Sequence, residues 1–129
     1  MIYLDTSVAL AQLLGEDRRP PAHFWSEVLV ASRLLEYELF VRLHGRRLIR
    51  THGDAAHQLV ARLALLELSP PVLARALEPC PRELRTLAAL HLASHEFLRA
   101  QGIGIELASY DTRMLAAARA LKIDIASVD

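Results

Sequence analysis

The chain has 129 residues, and its fifteen basic and fifteen acidic side chains cancel to a formal net charge of zero. This length allows one domain with a hydrophobic core, residues 1–129, and is too short for two. A net charge of zero excludes a global field that draws the protein to nucleic acid or to anionic membranes, so any RNA binding must use local patches. The 53% of hydrophobic residues predicts apolar surface that is buried against a partner, either a second copy or a bound peptide.

The cysteine content and the apolar pattern favour a reducing cytoplasm. The single cysteine, Cys80, cannot form an intramolecular disulfide, and it lacks the neighbours of a cysteine-ligated metal site. No apolar run approaches the ~20 residues that span a bilayer, and the first residues carry no basic region of a secretion signal. We therefore expect neither secretion nor membrane insertion.

Strands and helices are predicted to alternate along the chain. The first half contains a strand at residues 2–4, a helix at 8–14, a short helix at 22–27, a strand at 28–31 and a helix capped by Ser32. The second half contains a helix at 54–63, a strand at 65–68, helices at 72–77 and 82–100, a strand at 105–108, a helix at 114–121 and a last strand at 123–128. This order predicts an α/β fold with a parallel sheet covered by helices on both faces.

Three acidic side chains are placed where ligands bind in such a fold. Asp5 and Asp111 directly follow predicted strands, and open α/β sheets bind ligands beyond the carboxyl ends of their strands. Glu38 lies two turns into the helix after the second strand, and it shares a face with Arg42 and Arg46. The three carboxylates are therefore candidates to converge. Each also has a simpler explanation, because Asp5 and Asp111 suit helix N-caps and Glu38 could pair with Arg42.

Taken together, these stretches resemble the PIN-domain ribonucleases, in particular the VapC toxins of type II toxin–antitoxin pairs. The resemblance runs nearly the whole chain and implies a PIN-like three-layer α/β/α sandwich with a central parallel sheet. Four motifs in the family's order carry it: residues 2–8 with Asp5, residues 31–34 leading to Glu38, residues 84–87 with 89–93, and residues 109–111 with Asp111.

One position departs from the family pattern. The third motif has an aspartate between its leucine and its alanine, and here that position is Ala88. The missing carboxylate would be a principal metal ligand, so the resemblance implies that this chain is inactive or impaired as a nuclease. Alanine is the best helix former, so the fold should barely change. Either the natural protein is degenerate at Ala88, or an aspartate was replaced to make a toxic nuclease safe to produce.

The implied chemistry follows from clustered carboxylates, which are hard oxygen ligands that suit Mg²⁺ or Mn²⁺. By the resemblance, Asp5 and Asp111 are expected to bind the metal, and Glu38 to position water or a second ion, for cleavage of an RNA phosphodiester. Ser7 and Ser109 each stand two residues from an aspartate, so they are candidates to hydrogen-bond those carboxylates. Ordinary turn hydroxyls are the alternative for both serines.

Partner contacts are predicted at two places. Arg42 and Arg46 suit phosphate contact or the capture of an acidic peptide, although a solvated helix face also explains them. Trp25 and Phe40 lie in the region that, in the resembled family, helps form the groove for the antitoxin peptide. The expected partners are thus an RNA substrate, a cognate VapB-like antitoxin and a second copy in a homodimer.

Three other assignments compete with a nuclease. The first is a PIN-like module that has lost catalysis and functions by binding an antitoxin or RNA. A phosphate-accepting receiver domain also has acids at strand ends, but it needs a lysine after its last strand, and the only lysine here is Lys122. His91 and His95 have the i,i+4 spacing of a zinc site without a third ligand, so we interpret both as structural or surface histidines.

Overall fold

The computed structural model describes residues 1–129 and contains four strands, six α-helices and one 3₁₀-helix at Ala22–Ser26. The strands are β1 (Ile2–Leu4), β2 (Leu29–Ser32), β3 (Ala64–Leu66) and β4 (Glu106–Ala108). The helices are α1 (Thr6–Leu13), α2 (Arg33–Gly45), α3 (Ile49–Ala61), α4 (Pro70–Ala76), α5 (Thr86–Ala100) and α6 (Thr112–Ala120). No helix is both long enough and apolar enough to cross a membrane.

The four strands form one parallel sheet in the order β3-β2-β1-β4. Tyr3 of β1 pairs with Val30 of β2 on one side and with Leu107 of β4 on the other. The central position of β1 places its carboxyl end beside the carboxyl end of β4. Residues that follow these two strands therefore meet at one edge of the sheet.

Alternate strand residues divide the core into two clusters, one on each face of the sheet. Ile2 and Leu4 point toward α1, α2 and α3, and Tyr3 points toward α5 and α6. The first cluster includes Leu35 and Leu39, which are completely buried. Helices thus cover both faces, and the predicted α/β/α sandwich with a parallel sheet is confirmed.

The predicted last strand at residues 123–128 is wrong. Only Ile125 forms an isolated parallel bridge, with Leu107 of β4. Ile123 is buried in one core cluster, and Ala126 and Val128 are buried in the other. The alternating apolar pattern therefore arises because this segment passes along the edge of the sheet and buries side chains in both core clusters. It does not arise from continuous pairing with a strand.

Several predicted boundaries also need correction. Helix α5 begins at Thr86 rather than at residue 82, and α3 begins at Ile49 rather than at residue 54. The proline pair opens α4 at Pro70 instead of preceding it, because proline fits the first helical turn, where its missing N–H has no intrahelical acceptor. Helices α1 and α6 each begin two residues earlier than predicted, directly after Asp5 and Asp111.

Candidate active site

A cleft of about 870 Å³ opens beyond the carboxyl ends of β1 and β4. All three predicted acids line this cleft, namely Asp5, Glu38 and Asp111, and Ala88 lines it too. Asp5 and Asp111 are there because each follows a strand of the sheet, whereas Glu38 and Ala88 reach it from helices α2 and α5. The element order thus brings four separate parts of the chain to one edge.

Two serine hydroxyls fix the carboxylate of Asp5, which is 5% exposed. Ser7 Oγ donates to Oδ2 over 2.6 Å, and Ser109 Oγ donates to the same oxygen over 2.9 Å. Backbone N–H groups of Tyr110 and Asp111 donate to these hydroxyls, and so direct the single proton of each serine toward Asp5. Oδ1 of Asp5 accepts no hydrogen bond from the protein and remains available at the cleft.

Asp111 is the N-cap of α6. Its Oδ1 accepts from the backbone N–H groups of Arg113 and Met114 at 3.0 and 3.2 Å. Asp5 caps α1 more weakly, through a 3.4 Å bond from the N–H of Ser7. Both aspartates therefore cap helices, as the simpler explanation expected. Each carboxylate also keeps one oxygen without a protein partner, so a helix cap can still take part in the cleft.

Glu38 is held by two donors that sequence reasoning did not connect with it. Its Oε1 accepts from the Thr6 hydroxyl over 2.9 Å and lies 2.5 Å from Nε2 of His91. Glu38 does not pair with Arg42, so that simpler explanation is wrong. Its second oxygen, Oε2, makes no hydrogen bond with the protein.

His91 is almost fully buried, and its two ring nitrogens have different partners. Nδ1 lies 3.0 Å from the Tyr3 hydroxyl, and Nε2 lies against Glu38 and Thr6. His95, one turn later, turns Nε2 toward the Ile105 carbonyl, and its Nδ1 has no hydrogen-bond partner and lies 3.9 Å from Oε1 of Glu96. The two histidines therefore do not act together as ligands. Burial lowers the pKa of His95.

The oxygen donors of the cleft are of the kind that Mg²⁺ and Mn²⁺ prefer. Asp5, Glu38 and Asp111 each keep one carboxylate oxygen without a protein partner, so the chemistry of the donor set suits a hard divalent cation. No three acidic, histidine or cysteine side chains anywhere in the chain come close enough together to hold a metal ion. Ala88 lines the same cleft, and its side chain carries no oxygen, nitrogen or sulfur atom.

Arginine side chains surround these acids. The predicted pair Arg42 and Arg46 lines the cleft, and so do Arg18, Arg85 and Arg113, which sequence reasoning missed. Of the five, only Arg18 is held in an ion pair, with Asp129. This pairing keeps the pKa of the Asp129 carboxyl below its usual value. We call these arginines the arginine rim, and the acids Asp5, Glu16, Glu38 and Asp111 line the same cleft.

Sequence comparison supplies the family. The model of the PIN domain matches residues 2–120 of the chain. The chain belongs to the PIN domain family. No curated protein matches it at a significant level, so the family assignment comes from the domain model.

Solved structures show the same PIN fold. A toxin–antitoxin complex from Klebsiella pneumoniae is similar over 90% of this chain and 91% of that chain, with a TM-score of 0.67 and 16% identity. The Mycobacterium tuberculosis toxin VapC20, described as cleaving the sarcin–ricin loop, is similar over 91% of this chain and 95% of that chain, with a TM-score of 0.65 and 21% identity.

The two aromatic residues predicted to contact an antitoxin lie outside the acidic cleft of this PIN domain. Trp25 lines a separate groove of about 350 Å³, together with Leu13 of α1 and Arg62 at the end of α3. Phe40 is half-buried on α2 and packs against His57, with 4.6 Å between ring centroids and 41° between the ring planes. A contact between either residue and an antitoxin remains a prediction.

Proposed function

We propose that this chain is a VapC-like toxin, a PIN-domain endoribonuclease that depends on Mg²⁺ or Mn²⁺ and is inactive or impaired because Ala88 replaces a metal-binding aspartate. The observation that carries the proposal is the shared cleft. Asp5, Glu38 and Asp111 line it, and Ala88 lines it at the one place where the family motif departs. Asp5 and Asp111 would meet there as helix caps alone, because both follow neighbouring parallel strands, whereas Glu38 and Ala88 reach the same cleft from α2 and α5.

In this proposal Asp5 and Asp111 would hold the cation, together with an aspartate at position 88 where one is present. The bound ion would supply charge neutralisation at the scissile phosphate and a water with a lowered pKa. Ser7 and Ser109 orient the Asp5 carboxylate through Oδ2. Glu38 orients the attacking water with its free oxygen. The water oxygen loses a proton to solvent as it bonds to phosphorus, the bond from phosphorus to one ribose oxygen breaks, and that oxygen takes up a proton from solvent.

RNA is the substrate class that the arginine rim supports. Arg42, Arg46, Arg85 and Arg113 line the cleft and form no ion pair with the protein's own acids. Guanidinium groups bind phosphate through paired N–H donors, so arginines around an acidic centre can hold the flanking phosphates of an RNA strand. The rim also meets the requirement, set by the zero net charge, that RNA binding use a local patch.

The proposed protein partners are a VapB-like antitoxin and a second copy of the chain, in the cytoplasm. One structure of the same fold is a toxin–antitoxin complex, which supports an antitoxin as a partner here. Exposed apolar side chains, including Tyr37 and Val41 on α2, Leu73 on α4 and Leu77 directly after it, support partner-covered surface. A homodimer would cover part of this surface.

The test is to compare the chain with Ala88→Asp on a panel of RNAs that includes a sarcin–ricin loop oligonucleotide. With Mg²⁺ or Mn²⁺, cleavage should rise by at least ~100-fold, about 2.7 kcal/mol of barrier. The gain should disappear with EDTA and with Asp5→Asn. Ala89→Asp, one residue later on the same helix, is the matched control and should give no gain.

A naturally non-catalytic PIN module that binds antitoxin or RNA is the second candidate. The alanine at position 88 is the observation that supports it, because a module without catalysis needs no metal-binding side chain there. If Ala88→Asp stays folded while metal binding and cleavage remain at background, this candidate replaces the nuclease.

A further inference from the structure

A line of hydrogen bonds crosses the core from β2 to the candidate active site. The backbone N–H of Ser32 donates to the Tyr3 hydroxyl over 3.2 Å. That hydroxyl lies 3.0 Å from Nδ1 of His91, whose Nε2 lies 2.5 Å from Oε1 of Glu38. The line therefore connects the middle of the sheet to a carboxylate of the cleft.

The hydrogen-bond partners of Tyr3 and His91 indicate which atom carries each proton along this line. Burial raises the pKa of the Tyr3 hydroxyl, so tyrosine keeps its proton and can donate it to Nδ1 of His91. A neutral imidazole that accepts at Nδ1 carries its own proton on Nε2. That Nε2–H then points at Oε1 of Glu38, which also accepts from Thr6. Tyr3 at Nδ1 and the Glu38 carboxylate at Nε2 thus favour the same imidazole tautomer.

Burial leaves these groups little freedom. His91 is 1% exposed and Tyr3 is completely buried, so neither ring can turn to a water partner without opening the core. The contrast with His95 is informative, because that equally buried histidine on the same helix binds a backbone carbonyl and reaches no carboxylate of the cleft. Core packing by itself would not require His91 to face Glu38.

We propose that His91, supported at Nδ1 by Tyr3, is a positioning residue that fixes Oε1 of Glu38 through Nε2 and thereby holds the free Oε2 toward the cleft. The role rests on the proposed nuclease function, because it assigns Glu38 the task of orienting water. His91 itself does not touch the substrate. Second-sphere partners of this kind typically change activity by about 10- to 100-fold.

The first test uses the chain as it is and does not depend on cleavage. Nitrogen-15 NMR of the histidine rings at mildly alkaline pH should show His91 protonated at Nε2, with a slowly exchanging proton. Tyr3→Phe removes the donor to Nδ1 while the Glu38 acceptor at Nε2 stays, so the nitrogen-15 shift of Nδ1 should move toward that of a nitrogen without a hydrogen bond and Nε2 should keep its proton. A His91 ring with an unprotonated Nε2, or an Nδ1 shift unchanged by Tyr3→Phe, would overturn the proposal.

The second test uses the Ala88→Asp background. His91→Leu should lower kcat for RNA cleavage by at least about tenfold with little change in KM, because Glu38 loses its orientation while the arginine rim is intact. His91→Gln keeps an amide N–H donor and should recover part of kcat. His95→Gln is the control and should retain kcat.

The outcomes separate the two proposals. An equal fall of kcat in His91→Leu, His91→Gln and His95→Gln would indicate a structural role and overturn the positioning role. If Ala88→Asp has no activity at all, the nuclease proposal fails, and the NMR measurement still decides whether Tyr3 and His91 are arranged to hold Glu38.

Discussion

Ser109 donates a 2.9 Å hydrogen bond to Oδ2 of Asp5, although 104 positions separate the two residues in the chain. The bond joins the carboxyl end of β4 to that of β1, and Ser7 adds a second hydroxyl to the same oxygen. A carboxylate that is nearly buried needs such donors, because the loss of its hydration is otherwise uncompensated.

Ser109→Ala should therefore lower the free energy of unfolding by about 1–3 kcal/mol, since one donor to a buried charged group is lost. Urea denaturation followed by circular dichroism measures the change. Ser127→Ala removes a hydroxyl from an exposed serine and is the matched control. Equal stability of the two variants would contradict the importance of this bond to Asp5.

The arginine rim predicts how RNA binding responds to salt. The unaltered chain is suited to this measurement, because it is expected to bind without cleaving. Arg42→Ala combined with Arg85→Ala should weaken binding of a labelled single-stranded RNA and should flatten the dependence of affinity on salt, by about 0.7 in the logarithmic slope for each lost phosphate contact. Fluorescence anisotropy across a KCl series measures both effects.

The control for the rim is Arg50→Ala, which removes an exposed arginine that does not line the cleft. Its affinity and salt slope should match those of the unaltered chain. If it weakens binding as much as the double variant, the RNA lies on another surface.

The burial of His95 predicts that the folded chain becomes less stable in mild acid. Burial lowers its pKa in the folded chain below the ordinary value of 6.5. As pH falls below about 6.5, His95 therefore takes up a proton in the unfolded chain before it does so in the folded chain. The free energy of unfolding should fall over this pH range, by at most ~1.4 kcal/mol per pH unit. The loss ends once pH drops below the folded pKa.

Urea denaturation between about pH 5 and 8 checks this expectation. His95→Gln cannot take up the proton and should make stability less dependent on pH in this range. His44→Gln, at an exposed histidine, should leave the pH dependence as it is. A full pH dependence in His95→Gln would assign the acid sensitivity to other groups.

The sequence predicted the parts of the site that backbone topology determines. Asp5 and Asp111 could be located because each follows a strand, and strand ends in a parallel sheet meet at one edge. The partnership of Glu38 with His91 could not be predicted in this way, because it joins two helices across 53 positions and depends on how each is rotated against the sheet. His91 stood within a recognised motif, but its spacing to His95 suggested only a weak zinc alternative.

The failure of the last predicted strand has a related cause. Apolar alternation records which side chains are buried, and residues 123–128 bury theirs at the sheet edge with a single bridge at Ile125. Hydrogen-bond pairing also requires a neighbouring strand, and β4 is only three residues long, which limits the pairing that residues 123–128 can form. The places of Arg85 and Arg113 in the cleft could not be predicted, because a single arginine near the start of a helix forms no recognisable sequence pattern.

Trp25 lines a groove and Phe40 lies half-buried on α2, and both are predicted to contact an antitoxin peptide. Trp25→Glu and Phe40→Glu should each weaken binding of the cognate antitoxin by at least about tenfold, because a charge replaces apolar contact area. Tyr37→Glu tests a more exposed aromatic residue on the same helix as Phe40 and should have a smaller effect. Calorimetric titration of variants with native circular dichroism gives the affinities, and unchanged binding after both substitutions would place the antitoxin elsewhere.

The last prediction concerns metal affinity at position 88, measured apart from cleavage. The free oxygens of Asp5 and Asp111 can bind a cation only as an incomplete set, since no three ligands stand together in this chain. Ala88→Asp adds an anionic oxygen on the helix face that lines the cleft, and affinity for divalent cations rises with the number of charged ligands. We expect the Kd for Mn²⁺, measured by calorimetry or electron paramagnetic resonance, to fall by at least about tenfold. Asp5→Asn in the same background should remove most of that gain. Ala89→Asp adds the same charge one residue away and should leave the Kd near that of the unaltered chain, so equal gains from both variants would indicate a general charge effect and no vacated ligand position.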